Sequence, residues 1–168
     1  MLVIEDGTVV LGAASFISYA DAVTEAANYG VTFSDDEITG QVHLRGAYLW
    51  LVNLYESNLQ GLRMSGQQTG IFPRDGVTAR NFKVEDNVIP GDVILAQVFA
   101  ASALAGGIDI NAIKSSADLK SFSVDGVYSE TYQDGTVNKT LPDMPQVYHM
   151  LRPYMVVNKG LTRDEFGG

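Results

Sequence analysis

The chain has 168 residues, a formal net charge of −9, no cysteine, and 46 % hydrophobic against 18 % charged residues. That length fits one domain with a packed core, and that balance excludes overall disorder. The lack of cysteine excludes disulfides, thiolate metal sites and a Cys nucleophile, and is compatible with a reducing cytosol.

The opening, MLVIEDGTVV, has no basic region and carries two acids, so it does not read as a signal peptide. Residues 1–16 are apolar and small around an Asp6-Gly7 step, which gives a short hairpin with a two-residue turn, or a loose terminal arm. A helical bundle is expected over 17–112. Its first helix begins near Ser18, whose hydroxyl can accept from the first turn, and ends at Gly30. In FSDDEI, Ser34 is placed as the N-cap of a second helix, with Glu37 completing a capping box and Phe33 and Ile38 set for a hydrophobic staple. This helix carries two apolar stripes. Ile38, Val42, Leu49 and Val52 form one, and Leu44, Tyr48, Leu51 and Tyr55 the other. A helix apolar on more than one side is buried in an assembly or in the middle of a bundle. Gly46 within it implies close approach of another backbone.

The stretch SGQQTGIFPRDGV, residues 65–77, is too long and too rich in glycine for a tight connection. Ordered loops of this length are usually functional. Phe72 is expected to tuck into the bundle, Pro73 to hold the chain extended, and Arg74 to make a forked hydrogen bond to a carboxylate or to helix carbonyls. Gln67 and Gln68, between two glycines, read as a free tip able to adapt to a partner surface. A third helix runs from Pro90 to Ala105, stopped by Gly106-Gly107, and its alanines imply tight helix contact. Over 117–141, LKSFSVDGVYSETY has the Asp125-Gly126 signal of a β-hairpin. Phe122, Val124 and Val127 share one side of it, and Tyr128 and Tyr132 the other. A lone hairpin is marginal in water, so this one needs something to pack on. A short helix from Asp143 to Arg152 ends at Pro153, and 154–168 reads as a C-terminal arm.

Chemistry is hard to find. His43 and His149 lie far apart in helical patterns with no metal-ligand spacing. There is no nucleophile elbow and no phosphate-binding glycine loop. SDDE lacks the spacing of a calcium loop. Tyr48, Trp50 and Tyr55 suit the core better than base stacking. No cofactor and no enzymatic role are expected. Eleven basic residues, scattered along the chain, make no phosphate track. No apolar run approaches the ~20 residues of a membrane helix.

Taken in order, MLVIEDGTVV…SFISYADA, the long second helix, IFPRDGV, IPGDVILAQVFAASAL, LKSFSVDGVYSETY and MPQVYHMLRPYM resemble the head–tail adaptor (connector) proteins of tailed bacteriophages. Members of that group are often labelled DnaT-like single-stranded DNA-binding proteins. Phe72-Pro73-Arg74 matches the family's Trp-Pro-Arg with Phe for Trp; Pro90 and Gly126 match in place; Leu151, Arg152, Pro153 and Tyr154 match its closing helix. The long Gly/Gln loop and the extended tail depart from it. The resemblance implies a mainly α bundle with a β-hairpin excursion. It also implies a structural virion protein, assembled at the head–tail interface from subunits made in the host cytoplasm. There it forms a ring, usually of twelve copies, docked on the portal protein above a tail or neck protein, with genomic double-stranded DNA passing through unbound. The candidate interface is then Gln67, Gln68, Phe72, Pro73, Arg74, Phe122, Val124, Val127, Tyr128, Tyr132, Arg152 and Tyr154. The alternative is a single-stranded DNA-binding replication protein, which would need a basic groove.

Overall fold

The computed structural model describes residues 1–110 and 144–157. Over these the chain is mainly α, with four helices: α1 (Tyr19–Asn28), α2 (Glu37–Tyr55), α3 (Gly91–Ala105) and α4 (Pro145–Leu151). Two small antiparallel pairs sit between α2 and α3: β1 (Leu62–Arg63) with β2 (Arg74–Asp75), and β3 (Thr78–Ala79) with β4 (Phe82–Lys83). The hairpin expected over 117–141 lies outside the described residues.

Local signals set most helix ends. Ser18 caps α1 by accepting from the backbone N–H of Asp21 at 3.1 Å, and donates its own hydroxyl to the Asp21 carboxylate. Gly30 follows in the left-handed region at φ 66°. At α2 the cap is Asp36, not Ser34: its carboxylate accepts from Thr39 N–H at 2.8 Å. The charged acceptor two residues on outcompetes the Ser34 hydroxyl, and the hydrogen bond from Thr39 lowers the pKa of Asp36. The staple does not form either. Ile38 points to solvent, and Phe33 instead faces the ring of Tyr19. Helix α3 starts one residue later than expected, with Pro90 as its cap, and stops at Gly106 as read. Helix α4 starts at Pro145, and a 3-10 turn, Arg152–Tyr154, carries the chain through Pro153.

Helix α3 packs against α1, α2 and α4. Its buried side chains Val93, Ala96, Val98, Ala100 and Ala101 are small, so the helices approach closely. They meet the inner stripe of α2, where Leu44, Ala47, Tyr48, Leu51 and Tyr55 are buried. Trp50 is buried too and donates to the carbonyl of Ile110 at 2.9 Å. The one fully buried polar side chain of α3, Gln97, ties three segments together. Its oxygen accepts from Phe16 N–H, and its amide donates to Ser15 Oγ and to the carbonyl of Leu44, all at 2.8–2.9 Å. At Gly46 the near neighbour is the Leu104 side chain, not a backbone; Gly40 is the tighter site, against the Tyr19 ring.

The N-terminus is neither a two-residue hairpin nor a loose arm. Glu5 is buried, and its carboxylate accepts from the N–H groups of Gly7, Val9 and Val10, each at 3.0 Å. These bonds hold Val9 at φ 61°, a costly conformation for a β-branched residue. Gly7 is required where it stands, because a Cβ there would lie 1.9 Å from the carbonyl oxygen of Asn87. The C-terminal segment also joins the core at its start: Tyr154 is buried, Met155 bridges Leu59, and Val156 N–H donates to Asn58.

Candidate functional site

The loop between β1 and β2 is a compact excursion with its ends paired, and polar side chains turned inward hold it together. Gln68 is 2 % exposed. Its amide nitrogen donates to the carbonyls of Gly70 (3.0 Å) and Pro73 (2.9 Å), and its oxygen accepts from Met64 N–H at 3.1 Å. Arg63 forks onto Glu56 through Nε and Nη2, and its Nη1 donates to the carbonyl of Gln68. Glu56 raises the Arg63 pKa further. Thr69 donates to Ala13 and meets the Tyr48 hydroxyl at 3.2 Å. The loop presses so closely on Tyr48 that a Cβ at Gly70 would lie 2.3 Å from that hydroxyl. Gly70 is therefore a packing requirement rather than a flexible joint.

Phe-Pro-Arg is an internal anchor. Phe72 is fully buried, and its bond to Pro73 is cis. Arg74 donates to the carbonyls of Gln60 (2.7 Å) and Gly61 (2.8 Å) and more weakly to Ile71. Its partners are thus backbone carbonyls and not a carboxylate, and burial lowers its pKa. Phe72 meets the ring of Tyr154 edge to face, 5.7 Å between centroids. Tyr154 donates to Asp92 at 2.9 Å, and Arg80 pairs with the same carboxylate oxygen at 2.8 Å. Burial, and then the bond to Asp92, pushes the Tyr154 hydroxyl up to about 12. The Phe-Pro-Arg and Leu-Arg-Pro-Tyr motifs, eighty residues apart in sequence, thus meet in one core cluster.

This changes the candidate interface. Gln68, Phe72, Pro73, Arg74 and Tyr154 lie inside the subunit and are not surface available to a partner. Gln67 and Arg152 are exposed. Phe122, Val124, Val127, Tyr128 and Tyr132 lie outside the described residues. The surface that stands out is the outer stripe of α2, where Ile38, Val42 and Leu49 are 77 %, 57 % and 58 % exposed. They recur at helical spacing along one face. A second exposed feature escaped the sequence reading. The two residues between β3 and β4, Arg80 and Asn81, both have positive φ and form a type I′ turn that leaves Phe82 77 % exposed. The alternation in VTARNFKV with a central Asn was the available signal.

Among the described residues four cations are engaged within the chain, while Arg45 and Arg152 are exposed. Arg63, Arg80 and Lys83 pair with Glu56, Asp92 and Asp86, and Arg74 is buried. Among the described residues no cluster of His, Cys, Asp or Glu could hold a metal, and no helix is long and apolar enough to cross a membrane. His149 is exposed beside Tyr148, and His43 is half-buried.

These features define a small acidic helical protein whose two shared-looking motifs build its core and whose surface is marked by exposed apolar side chains. The chain matches, over residues 1–164, the family described as "Putative DnaT-like ssDNA binding protein", and it belongs to that family. Neither a curated protein nor a solved structure matches it.

Proposed function

We propose that this chain is a structural subunit without catalytic activity: a ring-forming head-to-tail adaptor of a tailed-phage virion. It docks on the portal, connects the capsid to tail or neck proteins, and leaves the genome's exit channel open. One observation carries the reading. The outer face of α2 keeps an apolar stripe in solvent although its inner face already fills the subunit core. A single chain gains nothing from exposing that stripe, whereas subunits packed side by side cover it. The net charge of −9 also suits a conduit that DNA passes without adhering.

The family description favours a second reading, single-stranded DNA binding. That activity draws on Lys and Arg displacing counterions and on aromatics that stack on bases. Sedimentation of the purified chain with and without portal protein, beside an anisotropy titration with a single-stranded oligonucleotide, separates the two. An adaptor yields a many-copy complex on the portal and no measurable affinity at physiological salt. A monomer with micromolar, salt-sensitive DNA binding would establish the second reading and remove the first.

A further inference from the structure

The geometry points to a knob and a matching socket on the same chain: the Phe82 hairpin tip of one copy seats in the groove between the N-terminal segment, α1 and α3 of a second copy. This rests on the ring reading and names the contact that would build the ring.

The knob is preformed. The β3–β4 pair registers Thr78 with Lys83 and Ala79 with Phe82, and its type I′ turn fixes the tip through two non-glycine residues at positive φ. Its base is closed by Val84 N–H to the Val77 carbonyl at 2.9 Å, with Val77 fully buried. Such a tip holds Phe82 in place at little further entropic cost on binding. Phe82 stands between two basic side chains, Arg80 and Lys83, that are 63 % and 60 % exposed. Their partners, Asp92 and Asp86, form surface ion pairs, which contribute little and exchange readily.

The socket has the opposite character. It is a groove of about 540 Å³ with an apolar wall that includes Ile4, Phe16, Ile94 and Leu95, and with Asp21 and Glu25 in its lining. An aromatic ring fits the wall, and the nearby positive charge of the tip, Arg80 in the turn and Lys83 on the other face of the strand, complements the two carboxylates at the groove. Phe82 does not occupy this groove in its own chain. Its anchored strand holds it out in solvent at 77 % exposure. Aromatic residues and arginine are both enriched at protein interfaces, and arginine is among the residues that dominate their energetics. Because knob and socket are different surfaces, each copy can give one and receive one. That is a head-to-tail contact, which closes into a ring when the rotation allows.

The absence of cysteine gives a clean test. Phe82→Cys and Leu95→Cys are made separately in the full chain, with Ile4→Cys as a second socket position if Leu95→Cys lowers the melting temperature. Mild oxidation of the mixture should cross-link knob variant to socket variant, with far less product from either alone. Phe82→Ser should leave the melting temperature unchanged, because the ring is exposed, and weaken self-association by about thirtyfold or more, as for an interface anchor. Rings that form normally with Phe82→Ser and give no mixed cross-link overturn this contact and leave the adaptor reading standing. Equal cross-linking of Phe82→Cys alone means that two tips meet each other, which also overturns it. A chain that stays monomeric with and without portal removes both. Loss of single-stranded DNA binding on Phe82→Ser, with self-association unchanged, makes the tip a base-stacking element instead and refutes the socket.

Discussion

Replacing Gln68 by alanine should destabilise the subunit strongly, although the residue sits in a polar, glycine-flanked loop. Three hydrogen bonds are lost: from Met64 N–H, and to the carbonyls of Gly70 and Pro73. At about 1 kcal/mol net for each bond, with buried groups left unpaired, the loss is about 3 kcal/mol. For a chain of this size each kcal/mol moves the melting temperature by about 2–4 °C, so a fall of about 6–12 °C is expected. Gln68→Met separates the causes, since it keeps the side-chain volume and removes all three bonds; it should lose nearly as much. Gln67→Ala, one residue away and exposed, is the control and should stay within about 0.5 kcal/mol of wild type. Thermal unfolding followed by circular dichroism reads all three. A Gln68→Ala melting temperature equal to that of Gln67→Ala would refute the inward latch and restore a free two-residue tip.

Phe72→Ala should cost about 3–5 kcal/mol in the same assay, because the ring is fully buried against Tyr154. Tyr154→Phe keeps the packing and loses the bond to Asp92, a cost of about 1.5 kcal/mol. The Tyr154 hydroxyl is raised to about 12 in the fold, against ~10 in an unfolded chain. Its contribution is therefore fully present below pH ~10 and disappears as pH rises towards the folded value; Tyr154→Phe should flatten that part of an alkaline denaturation profile. Val42→Glu, on the outer stripe of α2, should leave the melting temperature nearly unchanged and reduce assembly on the portal as read by sedimentation.

What the sequence made legible follows from how local each signal is. The cap at Ser18, the stop at Gly106 and the inner stripe of α2 depend on neighbours a few residues away, and the structure has them as read. The α2 cap shows the limit: Ser34, Asp35 and Asp36 are three successive cap acceptors, and spacing alone does not choose Asp36 over Ser34. Glu5, Gln68 and Gln97 were not legible as structural residues. Gln97 bonds to Leu44 and Phe16 from 53 and 81 residues away, which only the folded chain brings together; the partners of Glu5 and Gln68 are local backbone groups, but no residue pattern marks the irregular turns that aim them at one side chain. A lone Gln in the apolar run of α3 was a faint hint. Phe72 tucks into the bundle as its motif predicts. The candidate interface nonetheless fails at Gln68, Arg74 and Tyr154, because a motif shows that a residue matters and not which way it faces, and all three are buried.

This internal packing bears on what the two motifs say about function. Residues consumed by internal packing serve an adaptor and a DNA-binding protein equally well, so they identify the fold and do not choose between the readings. The choice falls to the surface. Single-strand binding draws on exposed aromatics beside cations along a track of several nucleotides. Among the described residues Phe82, between Arg80 and Lys83, has that composition, and the exposed ion pairs of those two cations would be a small obstacle to a phosphate. Yet one ring and two cations reach about one nucleotide, and among the described residues the cations that precede the tip in the loop are spent, Arg63 on Glu56 and Arg74 on buried carbonyls, which leaves Arg152 as the exposed cation nearest in the fold. A net charge of −9 opposes extending such a contact along a polyanion. The same tip needs no track to bind protein. One aromatic in an apolar groove lined by Asp21 and Glu25, the contact proposed above, draws on this single tip and on no track.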